Sequence, residues 1–285
     1  MANFILWAKP TRPRVQQPIV DAWAVQHGPE TIPEFPPNVD WLGPPFVRVA
    51  NELGRHAFLI EFFDSARINS LRTLPYLKGW HARYTDSGLL TLGVHSPGYS
   101  FGRLPAVATA AIADLEIPYP VALDPALEVW RIYANRGWPA RYLFDRRGVR
   151  RLLHYGEGEY EATELTIQTL LAELDEGFAP PEPLSPLRPE DEPGVTLVPQ
   201  TADIALPADR ERLELTGSWN DGPDYIEAAA AGVTARASFR AGAAFAVISG
   251  DDESPGLRET NGLVSATAPG LRLHGFQFTP LADGI

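Results

Sequence analysis

From about residue 55 the apolar positions switch between two periods. "HAFLIEFF" (56–63) is a continuous apolar run of strand length, as in a strand buried on both faces. "RINSLRTLPYLKGWHARYT" then places Ile68, Leu71, Leu74, Leu77 and Trp80 on one helical face. Pro75 inside it lacks an N–H and is expected to bend the helix. "GLLTLGVH" predicts a second buried strand and "AVATAAIADLEI" a helix. "YPVALD" predicts a short third strand, and "PALEVWRIYANRG" a helix opened by a proline. "WPARYLFDRRGVRRLLHYGEGEY" predicts two strands around a turn at "DRRG". "EYEATELTIQTLLAELDEG" predicts a closing amphipathic helix ended by Gly177. Strands alternating with helices imply a mainly parallel sheet, to which the late hairpin adds a mixed edge.

The flanks follow other patterns. Residues 1–45 are proline-rich and lack a helical period. They predict an extended arm anchored by aromatics such as Trp23, Phe35 and Trp41, with Phe4 to Ala8 as an edge strand or docked segment. Residues 46–177 hold the alternating strands and helices. Residues 178–195, "FAPPEPLSPLRPEDEPGV", predict a semi-rigid linker. From 196 to 285 short segments such as "RLELTGSWN", "AFAVISG" and "RLHGFQFT" alternate with turn residues, which predicts a small all-β sandwich. Ala228 to Ala231 is the one stretch there that also suits a helix.

Composition narrows the function classes. The 285 residues carry a formal charge of -12, which argues against a broad grip on nucleic acid or on an anionic membrane surface. Lysine occurs only at Lys9 and Lys78, a composition bias rather than an arginine-specific device. The Phe4–Ala8 run is too short to span a bilayer and lacks a basic region before it; no later segment reaches about 18 apolar residues. The expectation is a soluble, cytoplasmic chain. The six histidines (27, 56, 81, 95, 154 and 274) show no metal spacing, and no phosphate loop or nucleophile elbow is present, so no cofactor is expected. There is no cysteine, which removes disulfides, thiolate catalysis and sulfur metal sites together.

Residues 56–174 nevertheless resemble the thioredoxin-like superfamily, in particular TlpA/redoxin-type thiol–disulfide proteins, AhpC/TSA-like in class, and the soluble arm of DipZ-type membrane reductases. The resemblance is carried by Glu61-Phe62-Phe63 at a strand end, the helix "INSLRTLPYLKGWHARY", and then "LLTLGVHSPGYSF", "YPVALD", "NRGWPARYLFDRRG" and "HYGEGEYEATE" in order. It implies an α/β thioredoxin-like domain with a mixed central sheet flanked by helices. The all-β tail is similar to a shortened carbohydrate-module-like sandwich, through "LELTGSWN" and "LRLHGFQFTP". Trp219, Tyr225, Phe239, Phe245, Phe276 and Phe278 are its candidate sugar-binding aromatics, most of them expected in its core.

In that family the turn before the helix reads Cys-Ile-Asn-Cys; here it is Arg67, Ile68, Asn69 and Ser70. The family pair works because a helix N-terminus stabilises a thiolate and the second sulfur lies on the same helix face. Neither arginine nor serine can exchange disulfides, so no catalytic residue is assigned. Arg67 at a helix start is electrostatically unfavourable, by about 0.3–1 kcal/mol when exposed. It is expected to turn to solvent, to meet a carboxylate, or to hold an anion with the helix N–H groups. Glu61 stands where the family often has a buried acid, and is expected to pair with a basic side chain or be hydrated. Pro139 matches the family's cis-proline. With Arg67, Asn69 and Trp138 it outlines a candidate groove for a peptide or protein.

The expected function is therefore a redox-inactive protein that binds a peptide or protein partner, or scaffolds, through this vestigial groove. The alternatives are an oxidoreductase of the same family acting with a partner's thiols, and a structural subunit of a homo-oligomer. A fold by itself does not choose among them.

Overall fold

The computed structural model describes residues 28–46, 48–250 and 254–283. The expectations for Phe4–Ala8 and Trp23 lie outside them. The first sheet has six strands: β1 (Asp40–Leu42), β2 (Ala57–Phe63), β3 (Leu89–His95), β4 (Val121–Leu123), β5 (Ala140–Phe144) and β6 (Arg150–Tyr155). Their order is β1-β4-β3-β2-β5-β6. Strands β2, β3 and β4 run parallel, whereas β5 is antiparallel to β2, β6 to β5, and β1 to β4. The helices are α1 (Val49–Glu52), α2 (Ile68–Tyr84), α3 (Pro105–Asp114), α4 (Glu128–Ile132) and α5 (Tyr160–Leu174). This is a thioredoxin-like α/β domain with a mixed sheet.

The apolar run of β2 is explained by cover on both faces. Ala57, Leu59 and Phe63 pack with Leu77 and Trp80 of α2 and with Ile167 and Leu171 of α5. Phe58, Ile60 and Phe62 pack on the other side with Val129, Tyr133 and Phe35. Phe35 also meets Trp41 at 5.0 Å between ring centres, as anchoring aromatics should. On α2 the predicted face is buried at Leu74, Leu77 and Trp80, while Ile68 and Leu71 remain half-buried.

Two local expectations need correction, and one open choice is decided. Helix α4 is only five residues long, because Leu127 and Ala134 on either side hold left-handed backbone, with φ of 55° and 47°. Helix α5 ends at Leu174, where Asp175 turns extended; Gly177 lies beyond and donates its N–H to the Asp175 carboxylate instead of capping the helix. Ala228 closes a strand and Ala229 to Ala231 form a turn, not a helix.

The proline-rich stretch after α5 lies fastened along the first domain. Glu164 of α5, 1% exposed, is the anchor. Its carboxylate accepts from Trp80 Nε1, Arg83, the Tyr84 hydroxyl and the Leu184 N–H, at 2.9, 2.7, 2.5 and 2.8 Å. Gln168 donates to the Pro181 carbonyl, and the Tyr76 hydroxyl takes the Leu187 N–H while donating to Asp191.

The second domain consists of antiparallel β sheets. Its strands are β7 (Ile204–Ala205), β8 (Leu213–Thr216), β9 (Trp219–Asp221), β10 (Ile226–Ala228), β11 (Thr234–Ala237), β12 (Ala244–Ser249), β13 (Gly256–Thr260), β14 (Leu263–Ser265) and β15 (Arg272–Phe278). One sheet is ordered β13-β12-β15-β10-β9, with β7 on β15; the other is β14-β11-β8. Ile226, Leu273, Phe276 and Phe278 fill the core together with Trp219. Tyr225, Phe239 and Phe245 are half-buried.

Candidate functional site

The turn forms where β2 delivers the chain to the start of α2. Asp64, its side chain 2% exposed, fixes it: Oδ1 accepts from the Ala66 N–H and Oδ2 from the Gly98 N–H, at 2.9 and 2.8 Å. Arg67 occupies the N-cap position with extended backbone and makes no side-chain cap. The structure chooses among the fates expected for its charge. The guanidinium lies over the rings of Trp138 and Tyr99, 4.7 and 5.1 Å from their centres, with Nε 3.9 Å from the Asp64 carboxylate. Cation–π contact and a buried anion thus offset the unfavourable helix end.

The four residues of the candidate groove are brought together. The Trp138–Pro139 bond is cis. Asn69 Nδ2 donates to the Trp138 carbonyl at 2.7 Å, so that backbone acceptor is already engaged. Asn69 Oδ1 in turn accepts the Ser70 N–H. Ser70 is buried, and its hydroxyl oxygen accepts from the Asp64 N–H at 3.3 Å. Trp138 is held from behind by its Nε1 donating to the Ser96 carbonyl.

Glu61 lies apart from the turn, buried in the sheet. Arg141 Nε is 3.7 Å from it, but neither carboxylate oxygen has a hydrogen-bond partner. The rest of the guanidinium donates to Thr163 and to the Gly156 and Gly158 carbonyls. Burial outweighs the Arg141 charge and pushes the Glu61 carboxyl from its ordinary 4.5 up to about 8. The folded state thus favours the protonated acid. This contribution is fully present below pH 4.5 and is lost as the pH rises toward 8. Glu61→Gln is therefore expected to gain stability over the parent as the pH is raised across that range, read by urea denaturation. A difference that stays constant with pH would contradict the assignment.

Sequence reasoning missed what covers the turn. Gln277 of β15 reaches across from the second domain. Its Oε1 accepts the Ile68 N–H, the first free N–H of α2, at 2.7 Å. Its Nε2 donates to the Ala66 carbonyl and the Tyr99 hydroxyl, at 2.9 and 3.1 Å. Ala66, Tyr99 and Phe101 pack there against Val247 and Leu257 of the β sheet. Asp224 accepts from both the N–H and the hydroxyl of Ser100, at 2.7 and 2.9 Å. Asp64, Tyr99, Asp224 and Gln277 thus join the site. A signal for the cover existed: "AFAVIS" is apolar on both alternations, whereas a sandwich strand facing water on one side alternates.

Among the described residues no group of three or more His, Asp or Glu could hold a metal ion. Among them, too, no helix is long and apolar enough to cross a membrane.

Comparison with known proteins gives no matching family model. Protein DipZ of Mycobacterium tuberculosis is 37% identical over 173 residues, covering 60% of this chain and 25% of DipZ. Human NHL repeat-containing protein 2 is 25% identical over 222 residues, covering 71% of this chain and 29% of that protein. The chain thus spans between a quarter and a third of the length of these relatives. Among solved structures, a thiol-disulfide isomerase from Corynebacterium glutamicum superposes with a TM-score of 0.42 at 20% identity, over 49% of this chain and 96% of that one. The chain is similar to thioredoxin-like thiol–disulfide interchange proteins while containing no cysteine.

Proposed function

We propose that this chain is a redox-inactive thioredoxin-like protein in which the former reactive turn docks the chain's own β domain, and that the two docked domains serve as a rigid binding scaffold for a protein or peptide partner. The observation that carries this reading is the Gln277 side chain, which satisfies the helix N–H that a thiolate or an extended ligand would use. The engaged Trp138 carbonyl supports it, because an incoming strand would have to share that acceptor with Asn69. The missing sulfurs support it chemically, since disulfide exchange needs an attacking thiolate.

The test is insulin reduction with dithiothreitol as the electron source. The full chain is expected to give no rate above the uncatalysed background at any concentration reached. A rate that scales with protein concentration would refute the reading.

A further inference from the structure

His274 sits where the two domains meet. It is 1% exposed. Its ring lies edge-on to Tyr99 and Phe101 of the first domain, with centres 5.5 and 4.9 Å away, and to Tyr225 of its own domain at 5.4 Å. Both ring nitrogens are engaged. Nδ1 is 2.8 Å from the Asp224 backbone oxygen, which can only accept, so Nδ1 carries the proton. Nε2, 2.7 Å from Ser249 Oγ, then accepts from that hydroxyl. The carboxylate of the same Asp224 holds Ser100 across the interface. The irregularity between Val247 and Ile248 on β12 falls opposite His274, which lies on the same strand as Gln277.

We propose that His274 is an acid-sensitive latch on the docked β domain: protonating its ring loosens that domain from the turn and uncovers the surface around Arg67 and Trp138. The inference rests on the docking reading above.

A second ring proton turns Nε2 into a donor, and the Ser249 hydroxyl must then direct its own proton elsewhere inside a buried site. The new cation is also cut off from water. The charged groups around it pull in both directions. The Asp224 carboxylate, 3.6 Å from Nδ1, favours the cation but is already shared with Ser100. Arg272 on the same strand, itself paired with Glu227, disfavours it. Tyr99, Phe101, Tyr225 and Ser249 bring neither a cation nor a carboxylate. Burial outweighs Asp224 and holds the imidazole below its usual range. A docked state that prefers the neutral ring is fully latched above the ordinary imidazole range. It weakens as the pH falls through that range toward the depressed value.

Amide exchange of Ile68 and Ser100, whose N–H groups are bonded across the interface, reads the latch directly. Their protection, corrected for intrinsic exchange, is expected to fall by more than about threefold from about pH 7.5 to about pH 5.5, because the docked state prefers the neutral ring. In His274→Gln, which cannot take the proton, the fall should stay under about twofold. His95 behind the same turn is also held below its usual range, and this variant separates the two. Protection that is flat with pH in the parent, or equally pH-dependent in His274→Gln, overturns the latch. If the variant does not fold, the ring of His274 is titrated by NMR in the parent. A midpoint matching the loss of protection supports the proposal, and a ring that titrates elsewhere or not at all overturns it. Amides already unprotected at about pH 7.5 would instead defeat the docking reading itself.

Discussion

Replacing Glu164 by alanine is expected to lower the stability of the chain by about 3–5 kcal/mol, the cost of breaking a buried charged network by removing one partner. The carboxylate is the common acceptor for two helix residues that are otherwise deep in the core, Trp80 and Tyr84, and for the backbone of the proline-rich stretch at Leu184. Without it those donors are left unsatisfied where water does not reach, while Arg83, 31% exposed, can turn outward. The loss is therefore to be read in two ways. Urea denaturation gives the overall destabilisation, and protease cleavage within 178–188 reports release of the stretch. A change below about 1 kcal/mol would show that the network is not one unit.

The second large effect is a gain. Arg67→Cys combined with Ser70→Cys restores sulfurs three residues apart at the start of α2, on the same side of the helix. The double variant is expected to form an internal disulfide on oxidation, visible as the loss of two titratable thiols. Its insulin reduction should nevertheless be slow, because Gln277 and the Val247 surface still cover the turn. Adding Gln277→Ala removes three hydrogen bonds at that cover and is expected to raise the rate by about tenfold or more, equivalent to about 1.4 kcal/mol of released docking. A double variant that folds but forms no disulfide would show that the turn geometry differs from the one described. A double variant already as fast as the triple would show that the cover does not obstruct the turn.

Much of the first domain was legible because its strands and helices announce themselves through period. A central strand buried on both faces reads as "AFLIEFF", and α2 shows its inner stripe at Leu74, Leu77 and Trp80. The cis-proline and the Arg67–Ser70 turn could be placed because the surrounding residues follow a familiar order. What failed was decided by single backbone conformations. Leu127 and Ala134 in left-handed backbone cut α4 to five residues, and local sequence does not advertise a non-glycine residue there. Among the partners of Arg67, Trp138 and a carboxylate were expected, but Tyr99 was not legible. Tyr99 is distant in sequence, and nothing in the local pattern brings it over the Arg67 guanidinium.

The cover over the turn was the largest gap. Gln277 looks like an ordinary outward polar residue in "RLHGFQF", and its partner Ile68 lies 209 residues away. Only the doubly apolar character of β12 hinted that the sheet has something on its outer face, and pattern alone cannot say what. Glu61 shows the same limit from the other side. The residue type and its position at the strand end suggested an ion pair. The structure supplies Arg141 at 3.7 Å, a distance that leaves both carboxylate oxygens without a hydrogen bond.

The docking of the β domain on the turn is tested most directly by the exchange rate of one amide, that of Ile68, in the parent and in Gln277→Ala at neutral pH. The first N–H of a helix ordinarily has no protein acceptor and exchanges fast. Here it should be protected in the parent and lose that protection when the Gln277 side chain is cut back, with the β2 and β3 amides unchanged. An Ile68 amide that exchanges at the rate of an open helix end in the parent would contradict the account.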